Sequence, residues 1–523
     1  MNRTLLTSTL PNVTESMLSA QFWFQETGWT HRANDKVDAS LQQTYQSYIQ
    51  KHAQSMFDLV ELWESAKAGL GWDDSVPVPP VPPSPRPVLY GADGGLLPEA
   101  FWQEVSESIA AAVPVLHTTA ADRTEDEQQP LNTPKVHPGF SVRRADVRRY
   151  PTQEPGFKGS ADKEFDRFQD TALHTFEPVL ILLGTSDNDW YYIVSTTYTG
   201  WVHARDIAIA TDEQFREWAR FTQTGRPFII PLANNVYTQA NPYDKTVSQV
   251  NLEFAAYIPL AESEHATRVS GEQTAAEGQP VGTPARNQRP VGNQSPIGNQ
   301  SPTGNLRVYL PVRNDDGRLD IHEAFLSAFS PVHFGFRPYT RFSVVESAFR
   351  LLSERYGWGD RFGCHDCASF IMDSYRTVGL QLPRDAGQQE EALPNFLEVP
   401  AEAEFAERTE LLKELAPGDP LYMPGHTMMY LGYLNGHHYM IHDFAGYVNS
   451  EDAALARASD DRTTDASMSE TAAEVTSGGD GGLNDTGVQS IPVNEIMVST
   501  LDILTSRRRA YIEELTGVGR LLM

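Results

Sequence analysis

Three features of the sequence predict a multidomain α+β protein with a helical N-terminal block, two small β-barrels and a closing α+β domain. At 523 residues the chain is too long for one hydrophobic core and should divide into roughly three to five domains. Its apolar spacing is helical before residue 70, short and strand-like from 135, and mixed after 335. A proline tract and two polar low-complexity stretches punctuate these blocks.

Between residues 14 and 70, Met17, Phe22, Phe24, Leu41, Tyr45, Tyr48, Met56, Leu59 and Leu62 recur at helical intervals. Residues 76–87, VPVPPVPPSPRP, then impose an extended crossing, which reads as a stiff spacer in preference to a docking ligand. We expect a helical domain over 1–125 that contains this crossing.

From 135 the pattern turns to short strands at 140–143, 148–152, 178–183, 190–194 and 199–203, with 186–189 as a turn. Strands of this length argue a small barrel over 135–215. Trp190 and Gly200-Trp201-Val202 look like signatures of a bacterial SH3 domain. A sparser set at 227–231, 255–260 and 308–312 is expected to form a second such barrel over 220–330. Inside it, 263–305 ends in a six-residue near-repeat at 289–294, 295–300 and 301–305. A β-helix needs more turns than that, so a flexible loop is expected.

The last block, 335–523, opens on Tyr339-Thr340 capping a helix at 344–352 that delivers Tyr356-Gly357-Trp358-Gly359. Asp366 is a good N-cap for a second helix, whose face is Phe370, Ile371, Tyr375 and Val378 and whose close is Gly379. Cys367 therefore falls in the first helical turn. Unpaired amides and the helix dipole there favour a thiolate, the reactive form of cysteine.

Two strand-like runs over 426–442 carry His426 and His442 around a Gly/Asn-rich turn. Register decides whether they meet. A two-residue Asn435-Gly436 turn would set His442 against Met429 and point it away from His426. A five-residue loop from Gly432 to Gly436 puts the histidines opposite each other, with Cβ atoms roughly 5 Å apart, and is the expectation. Residues 449–488 read as a disordered acidic insertion, tolerable because long loops add little closure entropy. Strand character returns over 491–499, and helix closes the chain over 501–515.

Together these residues resemble the NlpC/p60 family of papain-like cysteine peptidases. The family pattern is Tyr-x-aromatic-Gly, Asp-Cys-Ser at a helix start, Leu-Pro-Arg after that helix, and a Pro-Gly-Asp turn ahead of the catalytic His. The matching pieces are Tyr356-Gly357-Trp358-Gly359, Asp366-Cys367-Ala368, Leu382-Pro383-Arg384-Asp385 with Gln388, and Pro417-Gly418-Asp419 before Pro424-Gly425-His426. Ala368 replaces the usual Ser, and Asp360 the usual second Gly. The helical N-terminal block is similar to the stabilising domain of a subgroup, and 165–178 to its first SH3-like domain. The implied architecture is a papain-like catalytic domain behind that helical domain and two SH3-like barrels.

The resemblance also implies roles. Cys367 attacks a carbonyl, and His426 takes its proton or pairs with it as imidazolium. His442 orients His426, and the Tyr356 hydroxyl helps to hold the oxyanion. Structural alternatives stand beside two of these: His442 as a buried structural His, and Tyr356 as a core aromatic. Family members with SH3-like domains hydrolyse peptidoglycan peptides, commonly between γ-D-glutamyl and a diamino acid. In the best-matching type a free N-terminal L-Ala is held by an acidic residue and a tyrosine from the first barrel. Asp385, Asp366 and Tyr198 are the substrate-binding candidates here, Asp385 having the alternative of a helix N-cap.

A net charge of −28 argues against nucleic acid and against electrostatic attachment to anionic lipid or wall polymer. No apolar run reaches the length of a membrane span. Cys364 and Cys367 are the only cysteines, so a disulfide framework is excluded, although a bridge between them that silences the nucleophile stays open. Only His365 and Asp366 stand near that pair, too few for a zinc site, and no cofactor is expected. The first residues lack an export signal, which leaves a cytoplasmic enzyme as given or an envelope enzyme whose true start lies upstream. An exported hydrolase of intact peptidoglycan and a non-catalytic wall-binding protein are the alternative functions. Acyltransferase relatives usually carry His before Cys, the reverse of the order here.

Overall fold

Among the described residues, four α-helices precede the first strand: α1 (Ala20–Glu26), α2 (Ala39–His52), α3 (Leu59–Lys67) and α4 (Glu99–Ala110). The computed structural model describes residues 10–68, 77–115, 136–261, 304–448 and 490–522. The acidic insertion, and all but the end of the near-repeat, lie outside the described residues. Ser19, Asp38 and Asp58 cap the first three helices through side-chain oxygens. The apolar faces of these helices join the cores of later domains. The Trp23 ring, fully buried, lies 4.9 Å from that of Tyr439. Phe24 lies 5.6 Å from Phe342, and Trp63 lies 5.2 Å from Phe215. Helix α4 packs Trp102 and Val105 with Tyr150, Phe168 and Trp201. The block is a belt around the rest of the molecule.

The first barrel holds β1 (His137–Ser141), β2 (Ala145–Arg148), β3 (Gln169–Leu173), β4 (Pro178–Gly184), β5 (Trp190–Val194), β6 (Thr199–His203) and β7 (Ile207–Ile209). They form one antiparallel sheet in the order β3-β2-β6-β5-β4-β1-β7. Sequence patterning misses β3, whose buried Gln169 and Thr171 are polar because they face another domain. Helix α5 (Asp212–Trp218), started by a Thr211/Gln214 capping box, leads onward. Strands β8 (Phe228–Pro231), β9 (Val236–Tyr237), β10 (Asn251–Leu252), β11 (Ile258–Pro259), β12 (Leu306–Arg313), β13 (Leu319–Leu326) and β14 (Val332–Phe334) follow. They pair as β9/β10, β11-β8-β14 and β12/β13 around a separate core that includes Ile229, Val236, Leu252, Val308 and Leu326.

The C-terminal domain contains α6 (Arg341–Phe349), α7 (Cys367–Arg376), α8 (Ala386–Ala392), β15 (Phe396–Glu398), α9 (Phe405–Leu412), β16 (Pro420–Met423), β17 (His426–Leu434), β18 (His437–Val448), β19 (Ser490–Thr500), α10 (Tyr511–Glu514) and β20 (Gly517–Gly519). The sheet order is β15-β20-β16-β17-β18-β19. Thr340 caps α6 and Asp366 caps α7, as expected. All ten residues of α7 are buried, so the helix that starts at Cys367 is encased.

The β17–β18 turn corrects the expected five-residue loop. Leu434 pairs with His437 around a two-residue Asn435-Gly436 turn, both residues at positive φ. A regular ladder from that turn would send the histidines to opposite faces. Instead the register shifts between Tyr430 and Gly432, a β-bulge that adds one residue to β17 and restores the shared face. Gly432 sits there at φ +139, where a Cβ would come within 2.4 Å of Thr27 Cγ2 in the belt.

The β3 edge of the first barrel docks onto the 358–363 turn that precedes α7. Gln169 Nε2 donates to Gly359 O at 3.0 Å, and Thr171 Oγ1 donates to Asp360 Oδ2 at 2.8 Å. Deeper in, His174 Nε2 of the barrel and His365 Nε2 both meet Asp373 Oδ2, at 2.9 and 3.1 Å. Burial opposes charge on these histidines, but Asp373 holds His174 up to about 9, and Glu354 with Asp373 holds His365 up to about 10.

Trp23→Ala should cost about 3–5 kcal/mol, the usual loss for a buried aromatic truncated to Ala, and lower the urea midpoint of the whole chain. Tyr243→Ala, at a side chain 98% exposed, should leave that midpoint unchanged.

Candidate active site

Asp366 builds the start of α7. Its Oδ1 accepts from the Ala368 and Ser369 amides, both at 3.1 Å. Arg384 grips both of its oxygens, Nη1 to Oδ1 at 3.1 Å and Nη2 to Oδ2 at 2.7 Å, and the Gly359 amide reaches Oδ2 at 3.2 Å. Asp366, expected among the substrate contacts, is thus committed to the helix cap and the Arg384 pair. Ser369 closes the capping box, and Ala368, the first departure from the family pattern, is engaged only through its backbone. Asp360, the second, stands at φ +63 and accepts from Thr171, from the Ala172 amide at 3.3 Å and from Arg384 Nε at 3.1 Å. Where the family has a glycine, this chain has a carboxylate that fastens the turn to the barrel.

Cys367 opens α7 and is 7% exposed. Burial, and then the charge of Asp366, push its thiol far above the usual range, so the resting residue is a thiol, not the thiolate expected from the helix dipole. The Thr427 amide, next to His426, faces the sulfur. Burial also holds His426 down to about 4, which keeps the imidazole neutral at pH 7. His426 Nε2 lies 3.0 Å from His442 Nδ1, and His442 Nε2 lies 2.9 Å from Ser499 Oγ. This relay has a consistent proton arrangement. His426 Nε2–H donates to His442, His442 Nε2–H donates to Ser499, and His426 Nδ1 keeps its lone pair.

Tyr356 is 8% exposed. Burial pushes its phenol well above the ordinary value, so it stays protonated, a donor near Cys367. The Phe165 ring of the first barrel lies tilted 5.9 Å from that of Tyr356 and edge-on 5.8 Å from that of Trp358. Glu164 accepts from Asn494 Nδ2 at 2.8 Å, and Asn494 O receives the Tyr356 amide at 2.8 Å. The barrel therefore packs against the segment that leads into Cys367.

Asp385 does cap α8, its Oδ1 accepting from Gly387 and Gln388 at 2.9 and 3.3 Å. The residue is exposed, and its Oδ2 has no hydrogen bond among the described residues. Tyr198 reaches the same region. Burial raises its phenol most, followed by Asp170, with Arg149, Arg384 and Asp385 also acting on it.

Sequence reading missed Ser499, Tyr511 and Asp443. Tyr511 stands edge-on to both histidines, at 5.9 and 5.4 Å. Asp443 is fully buried with both carboxyl oxygens unpartnered among the described residues. Burial, and then Glu354, push it well above the carboxylate range, so it is a neutral acid, within electrostatic reach of Cys367. Among the described residues no cluster of His, Cys, Asp or Glu is arranged to hold a metal ion, and both cysteines are free.

Residues 353–464 match the NlpC/P60 family, and 155–203 match the SH3 domain of SH3b1 type. Among solved structures, the chain is similar to an NlpC/P60 endopeptidase from Photobacterium damselae subsp. piscicida. The two share 14% identity over 95% of this chain and 97% of that one, with a TM-score of 0.61. An NlpC/P60 family protein from Bacillus cereus ATCC 10987 matches at 15% identity over 68% of this chain and 83% of that one, with a TM-score of 0.38. NlpC2 from Trichomonas vaginalis matches at 13% over 72% and 98%, with a TM-score of 0.21. No curated protein matched. The chain carries an NlpC/P60 cysteine-peptidase domain behind an SH3 domain, in a fold of mixed helices and sheets.

Two outcomes follow for this site. With His426 held to about 4 by burial, kcat/KM should stay flat from about pH 5 to 9 and fall only near pH 4, as the base is protonated. An acid limb near 6.5 would indicate a solvated imidazole instead. Arg384→Met should cost about 3–5 kcal/mol, because it strands Asp360 and Asp366 as buried charges, and turnover should fall with the melting temperature. Arg384→Lys should recover only part of both, since an ammonium lacks the planar fork.

Proposed function

We propose that this enzyme hydrolyses peptidoglycan-derived peptides at the γ-D-glutamyl–diamino acid bond and selects peptides with a free N-terminal L-Ala. What supports this reading is that Tyr198 of the first barrel lies within electrostatic reach of Arg384 and Asp385 of the catalytic domain, while Phe165 and Glu164 of the same barrel meet Tyr356 and Asn494. A phenol and an exposed carboxylate suit an ammonium group. A barrel packed beside Tyr356 and Trp358 disfavours bulky stem peptides still attached to glycan.

In this mechanism His426 Nδ1 takes the Cys367 proton as sulfur attacks the glutamyl carbonyl. The Tyr356 hydroxyl donates to the developing oxyanion. His426 then protonates the departing amine, and water, deprotonated by the same imidazole, hydrolyses the thioester. His442 accepts from His426 Nε2 throughout and keeps Nδ1 aimed at the sulfur. Recycling of wall peptides fits a cytoplasmic location; an exported enzyme acting on intact sacculi is the competing reading.

Cys367→Ala should abolish hydrolysis of L-Ala-γ-D-Glu-diaminopimelate without loss of folding, whereas Cys364→Ser should keep nearly full turnover under reducing conditions. N-acetylation of the substrate's L-Ala should lower kcat/KM at least about tenfold, equivalent to about 1.4 kcal/mol of transition-state binding. Asp385→Asn should narrow that gap. Equal turnover of free and acetylated peptides, with product released from intact sacculi, would favour the exported hydrolase.

A further inference from the structure

A cleft of about 890 Å³ opens between the first barrel and the strands that follow it. Five basic side chains line it, Arg143, Arg144, Arg205, Lys245 and Arg313, in a chain whose net charge is −28. Part of this charge is answered locally. Arg143 and Arg205 share Asp206 at 2.9 and 3.8 Å, yet their side chains remain 59% and 63% exposed. Arg313 Nε donates to Ala204 O at 3.0 Å. Lys245 is exposed. Arg144 reaches through to the catalytic domain, its Nη2 donating to Asp360 O at 3.2 Å and Cys364 O at 3.0 Å, while its Nε is buried and unpartnered among the described residues.

We propose that this cleft is a second, non-catalytic site for a short acidic peptide carrying several carboxylates and an amine. Guanidinium forks match carboxylates in pairs, and four of the five cations are arginines. A phosphate polymer would suit the arginines equally, but Asp189 and Asp315 share the lining and would repel a continuous polyanion while pairing with an ammonium. Asn188, Ser248 and Asn251 add hydrogen-bonding groups for peptide amides. The volume falls within the range of small-ligand pockets. Through Arg144, a carboxylate bound here steadies the 360–364 turn that leads into Cys367. The choice of probe rests on the proposed function; the cleft itself does not.

The test is isothermal titration of the Cys367→Ala protein with L-Ala-γ-D-Glu-diaminopimelate, alone and combined with Lys245→Glu and Arg205→Glu. Hydrogen exchange over 245–251 is followed in parallel. The two charge reversals should remove one binding site from the stoichiometry, and peptide should protect 245–251 only when Lys245 and Arg205 are intact. Inorganic phosphate and polyphosphate should give neither effect at 150 mM salt. Unchanged stoichiometry with no protection of 245–251 would overturn the proposal, as would polyphosphate protecting the segment where the peptide does not. Loss of one site in a protein whose Cys367-containing form never cleaves the peptide would leave this site standing and remove the proposed function.

Discussion

One buried guanidinium sets the geometry on which the catalytic domain depends. Arg384 gives Nε to Thr171 and Asp360 and both terminal nitrogens to Asp366. Taking these charges out of water is costly, and the arrangement is stable only because fork and carboxylates are matched and the remaining lone pairs are largely filled. Thr171 belongs to the first barrel, Asp360 to the turn before the nucleophile, and Asp366 to the cap of its helix. The barrel and the start of the Cys367 helix therefore share one frame, which also carries the contacts of Glu164 and Phe165 with Asn494 and Tyr356.

Burial then decides the chemistry. The same low-dielectric setting that raises the Cys367 thiol lowers His426 and His442, so thiol and imidazole rest as a neutral pair. In the proposed mechanism charge separates only when a carbonyl is present to receive the sulfur. Asp443, neutral and buried nearby, extends this low-charge zone. The charged histidines sit elsewhere, at the His174–Asp373–His365 junction, where a carboxylate more than offsets desolvation. Net charge across the chain is silent about both, as it is about the basic cleft beside the first barrel.

Much of the site was legible in the sequence because it rests on short-range rules. The caps at Thr340 and Asp366, the helix that ends before Gly379 and the strand character around both histidines are decided within a few residues. The shared face of His426 and His442 was required correctly, but its cause was misread: a bulge at 430–432 performs the parity change assigned to a longer loop. A bulge leaves no turn signature, and here its glycine answers to Thr27, some four hundred residues earlier. Ser499 and Tyr511 were invisible for a similar reason, since their places depend on strand pairing across residues 449–489. Strand β3 was hidden by its polar side chains, which make sense only against Asp360 and Gly359. Asp366 is a cap both by sequence and by geometry, and its pairing with Arg384 leaves its oxygens occupied, which the expected substrate contact did not take into account.

The central claim is that Cys367, unlocked by His426 in a cleft shared with the first barrel, forms an acyl-enzyme. It is tested most directly by acid-quenching the reaction with L-Ala-γ-D-Glu-diaminopimelate within milliseconds and sequencing the 362–376 tryptic fragment by mass spectrometry. The account predicts an L-Ala-D-Glu thioester on Cys367 that accumulates and decays with turnover. An adduct on Cys364, or product formation with no adduct on Cys367, would contradict it.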